Sequence, residues 1–209
     1  MKSQIIGLTG NICSGKTTVA RILKERGATV LNRDDFLYEA YKLPSCKSDL
    51  VDCIGGAILG SDGEIDRTKL KIFLKQHPHL CFKVWNITDK YVDPRVLDAL
   101  QNINSLTFFE CSSLYEKDLD HFCRYVVMCY APDDVRALRL ITRARERDGF
   151  VLTEDEARAV FIQQTISQGG KMGRPDFVIR NDGTFDDLTN QTLSLYQRIL
   201  EMIAHESTC

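Results

Sequence analysis

The sequence predicts an α/β protein in which helices flank a mainly parallel sheet. Short apolar segments typical of buried strands alternate with longer segments of helical periodicity. This alternation favours parallel strands joined by helical crossovers. A glycine-containing loop links the first strand to the first helix. The 209 residues are 44% hydrophobic, which is enough apolar material for one core with a large insertion.

The first predicted elements lie on either side of the glycine-containing loop. We predict a strand over residues 4–8 and a helix over 16–26, which buries Val19, Ile22 and Leu23 and ends before a glycine. A second strand is expected over 28–31. The polar residues 32–35 then predict a turn that opens another helix.

The middle of the chain, residues 44–103, lacks strong strand signals and predicts several helices. Turns are expected at Gly55-Gly56, Asp62-Gly63 and Asp93-Pro94. We interpret this segment as a helical insertion in an α/β core formed by residues 1–43 and 104–209.

Strand and helix signals alternate again in the second half of the chain. Strands are predicted over 105–111, 124–130 and 176–180, and a long helix over 133–148. Thr153 and Glu156 form the capping-box pattern that begins the next helix. A C-terminal helix is indicated by the spacing of Leu188, Leu195, Ile199 and Ile203.

Charge and composition exclude several classes of partner. Lys and Arg number 27 against 29 for Asp and Glu, a net charge of −2, so the cationic surplus of a nonspecific nucleic-acid binder is lacking. No run of 18 apolar residues predicts a membrane span, and the apolar start of the chain is too short for a signal peptide. The eight cysteines include no Cys-x-x-Cys pair, which favours reduced thiols in a cytoplasmic protein.

Residues 10–17 fit the pattern G-x-x-x-x-G-K-[ST]. Glycines allow backbone N–H groups to surround a phosphate, and the helix beginning near Lys16 directs its positive end there. Lys16 is expected to bind the β- and γ-phosphates and Thr17 a Mg²⁺ ion. A chance glycine turn is the alternative, but the flanking strand and helix favour a nucleoside triphosphate site. Its predicted binding residues are Gly10, Cys13, Ser14, Gly15, Lys16, Thr17 and Thr18.

Two acidic residues follow the second predicted strand, where side chains reach the crevice at the carboxyl ends of a parallel sheet. A carboxylate there can accept a hydroxyl proton or hold Mg²⁺ through water. Helix capping is the competing interpretation. Position favours Asp34 as the catalytic base and Asp35 as the cap.

Four arginines, Arg136, Arg139, Arg143 and Arg147, recur at helical spacing on one predicted face. Guanidinium groups suit phosphate binding by a closing lid. A solvated charged face has the same spacing, so the pattern alone leaves both interpretations open.

Taken in order, motifs across nearly the whole chain resemble the dephospho-coenzyme A kinase family. The matching segments are residues 6–10 and 17–20 for its opening strand and loop, 30–34 for its Asp-Ala-Asp element, 55–70 for its Gly…Ile-Leu…Asp-Gly…Ile-Asp-Arg…Leu segment, 114–116 for the end of Pro-Leu-Leu-Phe-Glu, and 176–183 for Ala-Asp-Phe-Val-Ile-x-Asn-x-Gly. Arg139, Arg143, residues 154–157 and Gln163/Gln164 follow the order of its lid. The loop alone is generic, but the ordered set is specific.

The resemblance implies a P-loop core, a lid over about 133–168 and an insertion, 44–103, that binds the CoA moiety. It implies transfer of the ATP γ-phosphoryl group, with Mg²⁺, to the ribose 3′-hydroxyl of dephospho-CoA, the last step of CoA synthesis. Asp34 aligns with the family aspartate proposed as base, and Lys16 and Thr17 carry over directly. Arg139 and Arg143 are then the lid residues expected to bind ATP.

The chain departs from the family pattern at five places. Asn32 replaces the first aspartate, Asn11 and Cys13 replace loop glycines, Ser112-Ser113 replaces Pro-Leu, and Asp89-Lys90 stands where His-Pro is usual. Cys13 beside the phosphates predicts a site sensitive to thiol oxidation. Two other functions stay open: a P-loop kinase with a nucleoside or nucleotide acceptor, and a regulatory module that binds ATP without transfer, which the loss of an aspartate at Asn32 favours.

Overall fold

The computed structural model describes residues 3–147, 149, 151–162 and 166–207. Its strands are β1 (Ile5–Thr9), β2 (Thr29–Asn32), β3 (Thr107–Glu110), β4 (Tyr125–Tyr130) and β5 (Phe177–Arg180). They form one sheet in the order β2-β3-β1-β4-β5. Strand β1 pairs in parallel with β3 and β4, and β4 pairs in parallel with β5. The predicted α/β class with a mainly parallel sheet is confirmed.

The helices are α1 (Lys16–Glu25), α2 (Arg33–Tyr41), α3 (Pro44–Ile54), α4 (Arg67–Gln76), α5 (Cys81–Gln101), α6 (Asp133–Glu146), α7 (Glu154–Ile162), α8 (Gln168–Lys171) and α9 (Phe185–Ser207). The chain divides into two compact units, Met1–Leu31 with Ile103–Cys209, and Asn32–Asn102. What each unit binds stays a prediction. None of the described helices has both the length and the apolar character needed to cross a bilayer.

The sheet-containing unit is built around β1, whose five residues are all buried. Val19, Ile22 and Leu23 of α1 are buried against it, as the helical spacing predicts. Leu188 and Ile199 of α9 belong to the same core. Each large aliphatic side chain removed from water in this way stabilises the fold by about 1.5–3 kcal/mol.

Strand β5 lies at an edge of the sheet, and α9 covers part of that edge with one side chain. The Gln191 amide donates to the Arg180 carbonyl (2.9 Å), and the Arg180 N–H donates to Gln191 Oε1 (3.1 Å). The carboxamide therefore bonds the strand backbone as the peptide group of a further strand would.

The predicted capping box of α7 is present in full. Glu156 N–H donates to Thr153 Oγ1 (3.2 Å), and Thr153 N–H donates to Glu156 Oε2 (2.8 Å). The box satisfies two backbone donors that the first turn of a helix leaves without partners.

The turn predicted at Asp93-Pro94 is wrong, because α5 continues through Pro94. Proline removes one helical hydrogen bond and costs about 3 kcal/mol in a helix interior. The residues buried along α5 recur every fourth position and are Val84, Thr88, Val92, Val96 and Leu100. Burial of this continuous stripe offsets the proline penalty. The other two turns are confirmed, with positive φ at Gly55 and Gly63.

Helix α2 begins at Arg33, inside the turn predicted over 32–35, and its cap is Asn32. The Asn32 side chain accepts the Asp34 N–H at 2.9 Å. The prediction that Asp35 caps this helix is therefore wrong. Asparagine and aspartate cap helices about equally well. Asn32 therefore caps α2 although it departs from the family pattern at this position.

We expect Asn32→Ala to lower the free energy of unfolding by about 1 kcal/mol, because the Asp34 N–H loses its acceptor. Urea denaturation monitored by circular dichroism measures the change. Asn32→Asp is the matched control and should stay within about 0.5 kcal/mol of the parent protein. Equal stability of the alanine and parent proteins would contradict the capping role.

Candidate active site

The P-loop joins β1 to α1 through two glycines whose backbone excludes other residues. Gly10 and Gly15 have φ of 150° and 98°, in the region that favours glycine. A Cβ on Gly15 would lie 1.9 Å from Asn181 Nδ2, and one on Gly10 would lie 2.5 Å from the Cys129 carbonyl oxygen. Both predicted loop glycines are therefore required by space as well as by conformation.

Three consecutive P-loop carbonyls accept hydrogen bonds from side chains outside the loop. The bonds join Arg136 Nε to Ile12 O (2.9 Å), Arg139 Nη1 to Cys13 O (3.4 Å), Asn181 Nδ2 to Ser14 O (2.8 Å) and Cys129 Sγ to Ser14 O (3.1 Å). We call these four donor residues the carbonyl clamp. They come from α6, from β4 and from the turn after β5.

The carbonyl clamp fixes which way the loop amides point. In a planar trans peptide the carbonyl and the next N–H point in opposite directions. The N–H groups of Cys13 and Gly15 are therefore directed away from the clamp residues. The Ser14 N–H instead closes the turn onto the Asn11 carbonyl at 3.1 Å. Loop amides held in this way form the concave donor surface that binds phosphate.

A buried carboxylate that the motif does not contain completes the centre of the site. Glu110, the last residue of β3, is 2% exposed. Its Oε1 accepts a hydrogen bond from Lys16 Nζ at 2.8 Å and another from Thr17 Oγ1 at 2.7 Å. A buried carboxylate is costly unless it is paired, so the two motif residues stabilise Glu110 and are oriented by it.

Sequence reasoning missed Glu110, although a signal was present. It is an acidic residue at the end of an apolar strand, Phe108-Phe109-Glu110. Its importance depends on β3 lying next to β1, and the sequence does not fix that strand order.

The four arginines have different roles despite their common spacing, and Arg147 lies just after the last residue of α6. Arg136 is 1% exposed, and besides Ile12 it binds Asp133 at 2.8 Å. Arg139 bridges the loop to Asn181, whose carbonyl accepts at 3.0 Å. Arg143 is half-buried and Arg147 is exposed. The solvated-face interpretation is thus excluded for Arg136, which supports the loop backbone.

Cys13 combines an unusual backbone conformation with a thiol that resists ionisation. Its φ is 60°, a positive value at a non-glycine residue. Burial raises the pKa of the Cys13 thiol, and the positive charges of Arg143, Arg136 and Arg139 oppose that rise only in part. Since the thiolate is the reactive form, the prediction of an oxidation-sensitive site conflicts with this environment.

The remaining predicted site residues lie as follows. Thr18 is half-buried in the first turn of α1, and its N–H donates to the Gly15 carbonyl at 2.9 Å. Asp34 is exposed in the first turn of α2, in the unit Asn32–Asn102. Gln163 and Gln164 lie outside the described residues. The roles of Asp34, Arg139 and Arg143 stay predictions.

We expect Arg136→Met to lower the free energy of unfolding by about 2–3 kcal/mol, because the Ile12 carbonyl and Asp133 lose a buried charged donor. Urea denaturation gives the difference. Arg145→Met is the control from the exposed last turn of the same helix and should change stability by less than about 0.5 kcal/mol. Equal effects of the two substitutions would rule out a special role for Arg136.

Alkylation should show the raised pKa of Cys13 directly. At neutral pH we expect iodoacetamide to label Cys13 more slowly than a small free thiol, and labelling to accelerate at a higher pH than for that thiol, because burial raises the pKa of Cys13. Mass spectrometry of the Cys13 peptide measures the rate. Labelling at neutral pH as fast as that of the free thiol would show that burial does not protect this residue.

Comparison with known proteins identifies the family. The chain is 32% identical to a dephospho-CoA kinase of Geobacillus kaustophilus over 199 residues, covering 92% of this chain and 95% of the relative. Among solved structures it is similar to TT1252 from Thermus thermophilus, with a TM-score of 0.69, 26% identity and coverage of 99% and 98%. The dephospho-CoA kinase of Campylobacter jejuni shares the fold, with a TM-score of 0.67, 20% identity and coverage of 95% and 98%. The family model for dephospho-CoA kinase matches residues 4–187, and the chain therefore belongs to the dephospho-CoA kinase family.

Proposed function

We propose that this chain transfers the γ-phosphoryl group of ATP to the 3′-hydroxyl of dephospho-CoA, giving CoA and ADP. The family match over residues 4–187 supports the acceptor. The observation that supports phosphoryl transfer is the convergence of Lys16 and Thr17 on Glu110 beside the P-loop amides. A cytoplasmic location and small-molecule substrates, without nucleic-acid or membrane partners, belong to the same proposal.

The P-loop would bind the triphosphate by charge and by preformed donors. Loop amides oriented by the carbonyl clamp and the ammonium group of Lys16 both favour the negative charge that is shared among the oxygens of the transferred phosphoryl group. Because the loop backbone is already fixed, binding does not have to reorganise it.

The residues beside Lys16 fit a magnesium ion. Thr17 Oγ1 and Glu110 Oε1, 2.7 Å apart, supply the oxygen ligands that Mg²⁺ prefers. Within the described part of the chain, no three His, Cys, Asp or Glu residues form a metal cluster. This agrees with Mg²⁺ sites that rely on one or two protein ligands with phosphates and water. When bound, Mg²⁺ would neutralise charge on the ATP phosphates.

Asp34 would be the general base of the transfer. Its carboxylate would accept the proton of the 3′-hydroxyl as that oxygen bonds to the γ-phosphorus and the bond to the β-phosphate oxygen breaks. Asn32 fixes the backbone N–H of Asp34, which leaves the Asp34 carboxylate free of the capping task.

The lid arginines would act from α6. Arg139 already donates to the carbonyls of Cys13 and Asn181. Its proposed role is therefore to support the backbone on which the nucleotide would lie. Arg143, whose positive charge opposes the pKa rise of Cys13, is the better candidate for a direct phosphate contact.

A coupled assay with ATP, Mg²⁺ and dephospho-CoA tests the function. We expect acceptor-dependent ADP formation, near-complete loss in Lys16→Ala and a fall in kcat of at least about 100-fold in Asp34→Ala, because general-base catalysis contributes that much. Asp35→Ala is the matched control, since Asp35 is an exposed carboxylate in the same helical turn, and its kcat should be unchanged.

Three other outcomes of the assay would each contradict a different part of the proposal. Faster turnover with adenosine or AMP than with dephospho-CoA would assign a different acceptor. ATP binding without transfer to any acceptor would favour a regulatory module. Full turnover in Asp34→Ala would remove Asp34 from the base role and leave the family assignment intact.

A further inference from the structure

Arg33 connects the first turn of α2 to the middle of α5. One guanidinium nitrogen, Nη2, donates to Asp89 Oδ1 at 2.8 Å and to Asp93 Oδ1 at 2.7 Å. We call these three residues the Arg33 bridge. The Arg33 side chain is only 12% exposed, against 23% and 35% for the two carboxylates. The Arg33 bridge is therefore largely buried in the unit Asn32–Asn102.

The two acidic partners need the arginine between them. Asp89 and Asp93 are four residues apart on α5, a spacing at which like charges face each other and repel. The permanently charged guanidinium of Arg33 satisfies both carboxylates through one nitrogen. Both ends of this contact include a departure from the family pattern, since Arg33 stands within the Asp-Ala-Asp element and Asp89 replaces the usual histidine.

The Arg33 bridge lies directly beside the proposed base. Asp34 follows Arg33 in the chain, and its N–H is bound by the side chain of Asn32. Arg33 is thus fixed to α5, and the backbone of Asp34 is fixed by the helix cap Asn32. The exposed carboxylate of Asp34 therefore lies on a helical turn that two independent contacts hold in place.

We propose that Arg33 is a positioning residue for phosphoryl transfer, and that the Arg33 bridge holds the first turn of α2 so that the Asp34 carboxylate keeps the orientation needed to accept the acceptor proton. This inference rests on the proposed function. Reacting groups misplaced by about 1 Å lose about 100-fold in rate, so a lost bridge acts on the chemical step and leaves ATP binding intact.

The test is a mutant cycle on kcat for dephospho-CoA phosphorylation. We expect Arg33→Ala to lower kcat at least about tenfold with the KM for ATP changed less than about twofold. Arg33→Lys should recover part of the loss, because lysine keeps the positive charge on a shorter side chain. In an Asp34→Ala background the Arg33→Ala change should have no further effect, since Arg33 acts through Asp34.

Controls separate positioning from stability. Lys42→Ala breaks a different ion pair of the same unit, Lys42 with Glu39 at 2.5 Å, outside the segment 44–103, and should leave kcat unchanged. Should Arg33→Ala fail to fold, Asp89→Asn weakens the Arg33 bridge while keeping side-chain shape, and should show a smaller loss with the same dependence on Asp34.

Four results would overturn the inference or what it rests on. Parental kcat in Arg33→Ala, or an equal fold-loss in the parent and Asp34→Ala backgrounds, would make Arg33 purely structural. Equal kcat losses in Arg33→Ala and Lys42→Ala would show a general effect of weakening the unit. A parent protein that does not phosphorylate dephospho-CoA would refute the proposed function, and the positioning role of Arg33 would fall with it.

Discussion

The hydrogen bonds that hold the P-loop carbonyls determine much of this structure. A loop that presents its amides to an anion needs its carbonyls bound elsewhere, because an unpaired buried carbonyl is costly. Here the donors come from α6, β4 and the turn after β5. Ile12 and Cys13 also pack against the apolar cluster of α6. The phosphate-binding loop and the first turns of α6 are therefore one packed assembly.

A buried carboxylate orients the two side chains that follow the P-loop. Glu110 is buried at the end of β3 and holds Lys16 and Thr17 by hydrogen bonds. Glu110 thereby orients the Lys16 ammonium group, and the same carboxylate lies beside the candidate magnesium ligand Thr17.

Local sequence was a good guide where local chemistry decides the structure. The glycines at 10 and 15 and the capping box of α7 follow from backbone conformation and short-range hydrogen bonds, and both could be predicted. Glu110 depends on strand order, which no local pattern carries. The different roles of Arg136 and Arg147 depend on what faces each turn of α6. Helix α5 passes through Pro94 because a buried stripe outweighs a local penalty, and propensity alone cannot weigh that stripe.

The Gln191 contact on the outer side of β5 has a consequence for behaviour at high concentration. An edge strand with exposed backbone donors and acceptors is a template for strands of other molecules. The Gln191 carboxamide already occupies both backbone groups of Arg180. A second molecule would have to displace it before extending the sheet there, so this end of the strand is guarded against amyloid-like growth.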